Sequence, residues 1–332
     1  MLRSIRNFII TLVVSGAIFG LSAYYVSTIL IECLGPMFGI AADSVILKDN
    51  DDKDNSDDKQ SGIQDNISAS FSMLLINTNY RPSRVSEYSS YDVGRYPSNE
   101  KVGSFTADSM NAKKIVATEF IILRGNSQKN EFTYTYIPAS LVVTVKGKEL
   151  TLNEIYRDLG VTFLTKKISA LTGFDIDYYS IYDIEDISYI VDYMNGISFN
   201  VPMDIVNGNT VALSKGQKTL SGLDTELLLE YDGYTSTSQR TQMIIPLIKK
   251  IMAKATNKIY KIDVVALHRS ASNKVDTSMG VEDINLISDL LYSYTTSTVH
   301  EISYPGNYKK RGEETIFVPN LTAAITKFAK YR

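Results

Sequence analysis

Few residues in this 332-residue chain are equipped for chemistry. The two histidines, His268 and His300, stand far apart and outside any metal-ligand spacing. The single cysteine, Cys33, excludes an intrachain disulfide, and it follows Glu32 where a lipid-attachment signal needs a small residue. The eight Asp between residues 43 and 66 lack the ligand spacing and fixed glycine of an EF-hand calcium loop. What remains is the arginines and carboxylates. Arg240 is the one arginine between Arg157 and Arg269. Arginine's planar fork holds two anionic oxygens at once and a carboxylate can hold a divalent cation, so the chemistry open to such a set is electrostatic.

These residues need elements to hold them, and the chain supplies three kinds of segment. Phe8 to Ile31 is a run of 24 residues without a charge, long enough at about 1.5 Å per residue to cross a hydrocarbon core of roughly 30 Å. Arg3 and Arg6 precede it and the first charges after it are acidic, which directs the N-terminus to the cytoplasm. A cleaved signal peptide is the competing reading, since Gly39-Ile40-Ala41 loosely resembles a cleavage site, but the apolar run exceeds an ordinary h-region. The acidic segment that follows, with three Lys among Asn, Ser, Gln and Gly, is too polar to bury surface and reads as a tether. The expected organisation is a cytoplasmic tail 1–7, a transmembrane signal anchor 8–34, a flexible spacer 35–67 and an extracellular domain 68–332.

Within that domain apolar runs at Phe71 to Ile76 and Val116 to Leu123 predict buried strands, and Phe132, Tyr134 and Tyr136 alternate with threonines at period two. Spacings of three and four predict helices over Leu152–Leu159, Phe163–Leu171, Ile184–Tyr193, Met243–Met252 and Ile284–Tyr294, with Thr151, Asp183 and Ser221 or Asp224 as caps. Strands at Ile176–Ile181 and Ile197–Val201 flank the third helix as a βαβ-like unit. The fold expected is α/β, a three-layer α/β/α sandwich with a central mixed sheet, preceded by one transmembrane helix. With a net charge of −3 and no basic run longer than Lys309-Lys310-Arg311, nothing suggests a nucleic-acid partner, and none is expected.

A series of short words in fixed order adds to this reading: Leu74-Leu75-Ile76-Asn77-Thr78-Asn79-Tyr80-Arg81, Thr118-Glu119-Phe120-Ile121-Ile122-Leu123, Tyr136-Ile137-Pro138-Ala139-Ser140, Ile176-Asp177-Tyr178-Tyr179, Ile190 to Ile197, Val201-Pro202 and Gln239-Arg240-Thr241-Gln242. Over residues 71 to 242 they resemble the LytR-CpsA-Psr family of cell-wall glycopolymer transferases. The resemblance implies a substrate of polyprenyl-pyrophosphate-linked glycan, arginines and a magnesium ion on the pyrophosphate, and attack on phosphorus by a sugar hydroxyl. It assigns catalytic positions to Arg81 and Arg240, substrate contacts to Asn79 and Gln242, and the remaining metal ligand to Glu119.

The departures from the family pattern are as informative as the matches. Asn79 stands where the family has an acid, Ala139 where it has an arginine, and Glu230-Tyr231-Asp232 where it has Arg-x-Arg, so two cations become anions. Two expectations follow: a catalytically impaired relative that binds polyprenyl-phosphate lipid or cell-wall glycan, or an active phosphotransferase using Arg81, Arg240, Glu119 and magnesium. The reversed charges favour the first, because phosphoryl transfer rests on the electrostatics that are missing.

Overall fold

The structure is a computed structural model that describes residues 70–87, 114–231, 233–234 and 237–332. All belong to the compact unit Asp65–Arg332. The expected anchor and spacer lie outside the described residues. No helix among the described residues is long and apolar enough to cross a membrane.

The centre is a six-stranded mixed sheet. Strand β1 (Ser70–Thr78) pairs antiparallel with β2 (Ala117–Asn126), which pairs antiparallel with β3 (Glu131–Pro138). Two other strands run parallel to neighbours in the sheet, β6 (Tyr178–Tyr182) to β1 and β12 (Thr298–Ser303) to β3, and the two-residue β11 (Asp276–Thr277) closes the edge beyond β6. Between β3 and β6 lie a hairpin of β4 (Val142–Val145) and β5 (Lys148–Thr151), then helices α1 (Leu152–Leu159) and α2 (Val161–Thr172).

Alternation sorts the side chains to two faces. Leu74, Ile76, Phe120, Ile122 and Ile137 pack with α1, α2 and the C-terminal helix α8 (Leu321–Phe328), whose Phe328 is fully buried. Ile121, Leu123, Phe132 and Tyr134 pack on the other face against α3 (Ile184–Tyr193), α4 (Gly222–Glu230), α5 (Thr237–Ala255), α6 (Val264–Ala271) and α7 (Val281–Tyr292). The sandwich is therefore three-layered, and seven of the eight β3 residues are buried because both faces are covered.

Local chemistry starts the helices where it was expected. Thr151 caps α1 in a reciprocal capping box with Glu154, Asp183 caps α3 with Asp186, and Ser221 caps α4 with Asp224. Gly173 ends α2 in the left-handed conformation, φ 66°, that glycine adopts without steric cost.

One expectation is corrected. Strand β7 (Ile197–Val201) does not complete a βαβ unit in the central sheet; it pairs antiparallel with β10 (Gly216–Leu220) in a separate two-stranded sheet. Its alternation of buried and exposed residues suits a strand with one wet face, not the doubly covered centre. The hairpin β8 (Ile205–Asn207) and β9 (Thr210–Leu213) lies between those two strands in the sequence. At the C-terminus, Ile316–Pro319 belongs to β14 (Glu314–Pro319), a hairpin partner of β13 (Gly306–Arg311), whereas the central sheet ends on β12. Only one residue of β12 is buried, so the strand carried little hydrophobic signal.

Candidate functional site

One end of the sheet gathers the C-termini of β1, β3 and β6 with the start of β2 and the N-terminus of α3. In open α/β sheets this is the edge where loops can converge on a ligand. Arg81, three residues beyond β1, is 5% exposed here, and Glu119 at the start of β2 is 2% exposed.

The guanidinium of Arg81 is enclosed by carboxylates. Its Nε donates to Glu230 Oε1 at 2.8 Å and its Nη2 forms a further ion pair with the same oxygen. Nη1 donates to Glu226 Oε2 at 3.2 Å and lies 3.7 Å from Glu185 Oε1. Burial alone would lower the arginine's pKa, but the bonds and charges of Glu230 and Glu226 outweigh it and hold the pKa above its ordinary value. One cation thus faces three anions, leaving the cluster with an excess of two negative charges.

The cage joins three elements. Glu226 and Glu230 stand one turn apart on α4, and Glu185 lies in the first turn of α3. Glu185 also accepts from the Ser83 backbone N–H, at 3.3 Å to Oε2, and from the Ser83 hydroxyl. The segment leaving β1 is therefore stapled to both helices. At the N-terminus of α3, burial first and then the neighbouring charge of Asp186 push the Asp183 carboxyl up to about 8.

Glu119 is not solvent-facing. Directly across from Asn77 in the β1–β2 register, its Oε2 accepts from Asn77 Nδ2 at 2.7 Å and from Thr118 Oγ1 at 2.7 Å. Asn77 Oδ1 is buried without a hydrogen-bond partner. Asn79 turns to the backbone, with Nδ2 donating to Lys114 O at 2.9 Å and Oδ1 accepting from Val116 N at 2.8 Å. It brackets the approach to β2. Among the described residues no three His, Cys, Asp or Glu side chains group as a metal site.

The structure thus brings Arg81, Glu119 and Ala139 to one end of the sheet. Arg240 and Gln242 lie in the first two turns of α5, with their side chains outside the described residues, as is Asp232. His268 bonds Met279 O at 3.0 Å, with burial lowering its pKa, and His300 Nε2 lies 3.5 Å from Glu131 Oε1. Sequence reasoning missed Glu185 and Glu226. One signal was present: Glu226 and Glu230 are like charges at i,i+4, an unfavourable pair unless a cation lies between them.

Comparison with known proteins places the chain in a family. The LytR_cpsA_psr family profile matches residues 111–329, about two thirds of the chain, and the chain belongs to that family. Its members act in attaching glycopolymers to the cell wall. Among solved structures, the Lin1025 protein from Listeria innocua is 18% identical, covering 79% of this chain and 96% of its own, with a TM-score of 0.57. TagV of B. subtilis is 16% identical over 80% of this chain and 96% of its own, TM-score 0.58. TagT bound to LIIa-WTA is 15% identical over 79% and 90%, TM-score 0.58. At these identities the likeness is one of fold. No curated protein matches the chain significantly.

Proposed function

We propose that this chain is a LytR-CpsA-Psr protein of the cell envelope, anchored by its N-terminal apolar segment with the α/β domain outside the membrane. In this reading it binds cell-wall glycan, or the polyprenyl-phosphate lipid that carries it, without transferring the glycan. The observation that carries the reading is the cage of Glu185, Glu226 and Glu230 on Arg81. An arginine that is to grip phosphate needs its fork open. Here the fork already holds carboxylates, and a pyrophosphate would have to displace them.

The energetics favour the carboxylates. A unit charge pair at 4 Å and an effective dielectric near 20 is worth roughly 4 kcal/mol before solvent screening, and the approaching phosphate meets an excess of anions. Magnesium would be the usual remedy, and the donor set does not fit it. Magnesium sites of this kind rest on one or two carboxylates plus substrate phosphate. Glu119 already accepts from Asn77 and Thr118, and Asn79, in the family's acid position, is engaged by the backbone at both ends of its amide.

The test is direct. Full-length protein incubated with a polyprenyl-pyrophosphate-linked oligosaccharide is expected to release no polyprenyl phosphate above background, with or without magnesium. Sustained magnesium-dependent turnover by the unmodified protein would overturn the reading and restore the active transferase.

A further inference from the structure

At the opposite end of the sheet from Arg81 a polar groove of about 400 Å³ opens between the residues after α5 and the end of α7. Its volume is in the range of small-ligand sites. Its walls are fixed by hydrogen bonds: Ser293 Oγ donates to Leu290 O at 2.7 Å, Thr296 Oγ1 to Ser293 O at 2.9 Å, and Asn257 Oδ1 accepts from Ile259 N at 2.9 Å. Tyr292 is the aromatic member. Its hydroxyl donates to Ile262 O and accepts from Val264 N, each at 3.3 Å, so the ring is pinned at its polar end.

Other lining groups are left for a ligand. Among the described residues the Asp289 carboxylate, the Thr295 hydroxyl, the Asn257 Nδ2 and the Lys258 ammonium have no protein partner. Together they offer acceptors and donors within one groove, with one negative and one positive charge. An isolated phosphate is disfavoured by Asp289, and a divalent cation by the lack of a second acid. A lipid chain would desolvate these polar groups without pairing them. A sugar ring fits on each count: its hydroxyls both donate and accept, and its C–H face packs on an aromatic ring held in place, at little cost in side-chain entropy.

We propose that this groove is a carbohydrate subsite that takes one pyranose ring of a glycan chain, stacked on Tyr292 and hydrogen-bonded through its hydroxyls to Asp289, Thr295 and Asn257. The subsite is separate from the Arg81 cluster and does not depend on whether that cluster is active. It gives the domain a second point of contact with a polymeric sugar.

Titration of the full-length chain with the tetrasaccharide of N-acetylglucosamine, followed by saturation-transfer NMR, tests the assignment. Saturable binding is expected, weakened about tenfold or more by Asp289→Ala, the loss of a hydrogen bond to a charged group. Tyr292→Ala is expected to abolish it. Asp289 and Thr295 are exposed, so Asp289→Ala and Thr295→Val retain the fold even where Tyr292→Ala does not. Absence of saturable binding overturns the proposal, as does binding that persists unchanged in both Asp289→Ala and Thr295→Val.

Discussion

The two ends of the central sheet make opposite use of similar side chains. Beyond β1 and β6 the charged groups are turned inward onto one another: Arg81 onto three glutamates, Glu119 onto Asn77 and Thr118, Asn79 onto the backbone. Beyond β2 and before β12, the hydrogen bonds of Ser293 and Thr296 fix a wall while Asp289, Thr295 and Lys258 face solvent. The difference separates holding a fold together from holding a ligand. Groups that pair within the protein stabilise it and are lost to chemistry, and family membership alone does not say which has happened.

The largest effect expected from the inward-turned end is on stability as a function of pH. Asp183 has a folded pKa of about 8, well above the value of 3.8 for an ordinary aspartate. Between those values the folded protein binds more protons than the unfolded chain, so stability falls as pH rises from about 4 to about 8 and then levels. The slope for one such group is at most about 1.4 kcal/mol per pH unit. Asp183→Asn keeps a competent N-cap and removes the charge, so it should flatten that fall. Urea unfolding of both proteins at pH 5, 6, 7 and 8 measures it, and parallel curves would show that Asp183 titrates normally.

Next in size is the cage itself. Arg81→Met leaves Glu185, Glu226 and Glu230 converging without a cation. Removing one partner of a buried pair costs about 3–5 kcal/mol. These carboxylates are between a quarter and somewhat over a third exposed, so a loss discounted for solvent screening to about 2–3 kcal/mol is expected at pH 7. Denaturant midpoints at pH 7 check the value, and an unchanged midpoint would mean that the cage contributes nothing to the fold.

This end also shows how far the sequence could be read. Arg81 and Glu119 stood out through the words around them, and the strands that carry them were plain from Leu74 to Ile76 and from Phe120 to Leu123. Asp183 marked the start of α3 as a cap because capping chemistry is local. Glu185 and Glu226 could not be assigned as partners of Arg81, since they lie more than 100 residues away in the chain and only the packed fold brings α3 and α4 to β1. β12 was missed for a different reason: as an edge strand it needs no continuous apolar run, and its residues Thr298 to Ser303 are mostly polar or half-exposed. The groove at the far end was invisible for the first reason, being assembled from residues near 257 and near 292.

Asn79 tests whether a family position has become purely structural. Asn79→Ala removes two hydrogen bonds, to Lys114 O and from Val116 N, and should cost about 1–2 kcal/mol of stability. Binding of a polyprenyl phosphate by the folded variant should not change. Weaker binding with an unaltered melting curve would return Asn79 to the ligand. The converse experiment opens the cage: Glu230→Gln removes one anion while keeping the side chain's shape, and calorimetry should show inorganic pyrophosphate binding about tenfold tighter than to the unmodified protein, roughly the worth of one screened charge interaction. No gain would mean that Arg81 is not what limits anion binding at this end.

The smallest effect is the sharpest test of the contrast between the ends. Asp289 and Thr295 are exposed and without side-chain partners among the described residues, so neither contributes to any pairing that folding must preserve. Surface substitutions away from caps, cavities and buried pairs change stability by no more than about 0.5 kcal/mol. Asp289→Ala and Thr295→Val should therefore unfold within that margin of the parent protein, while Arg81→Met falls well outside it. Equal losses from all three, measured in one set of urea titrations, would mean that both ends are structural and that the groove's polar groups are engaged in the native fold.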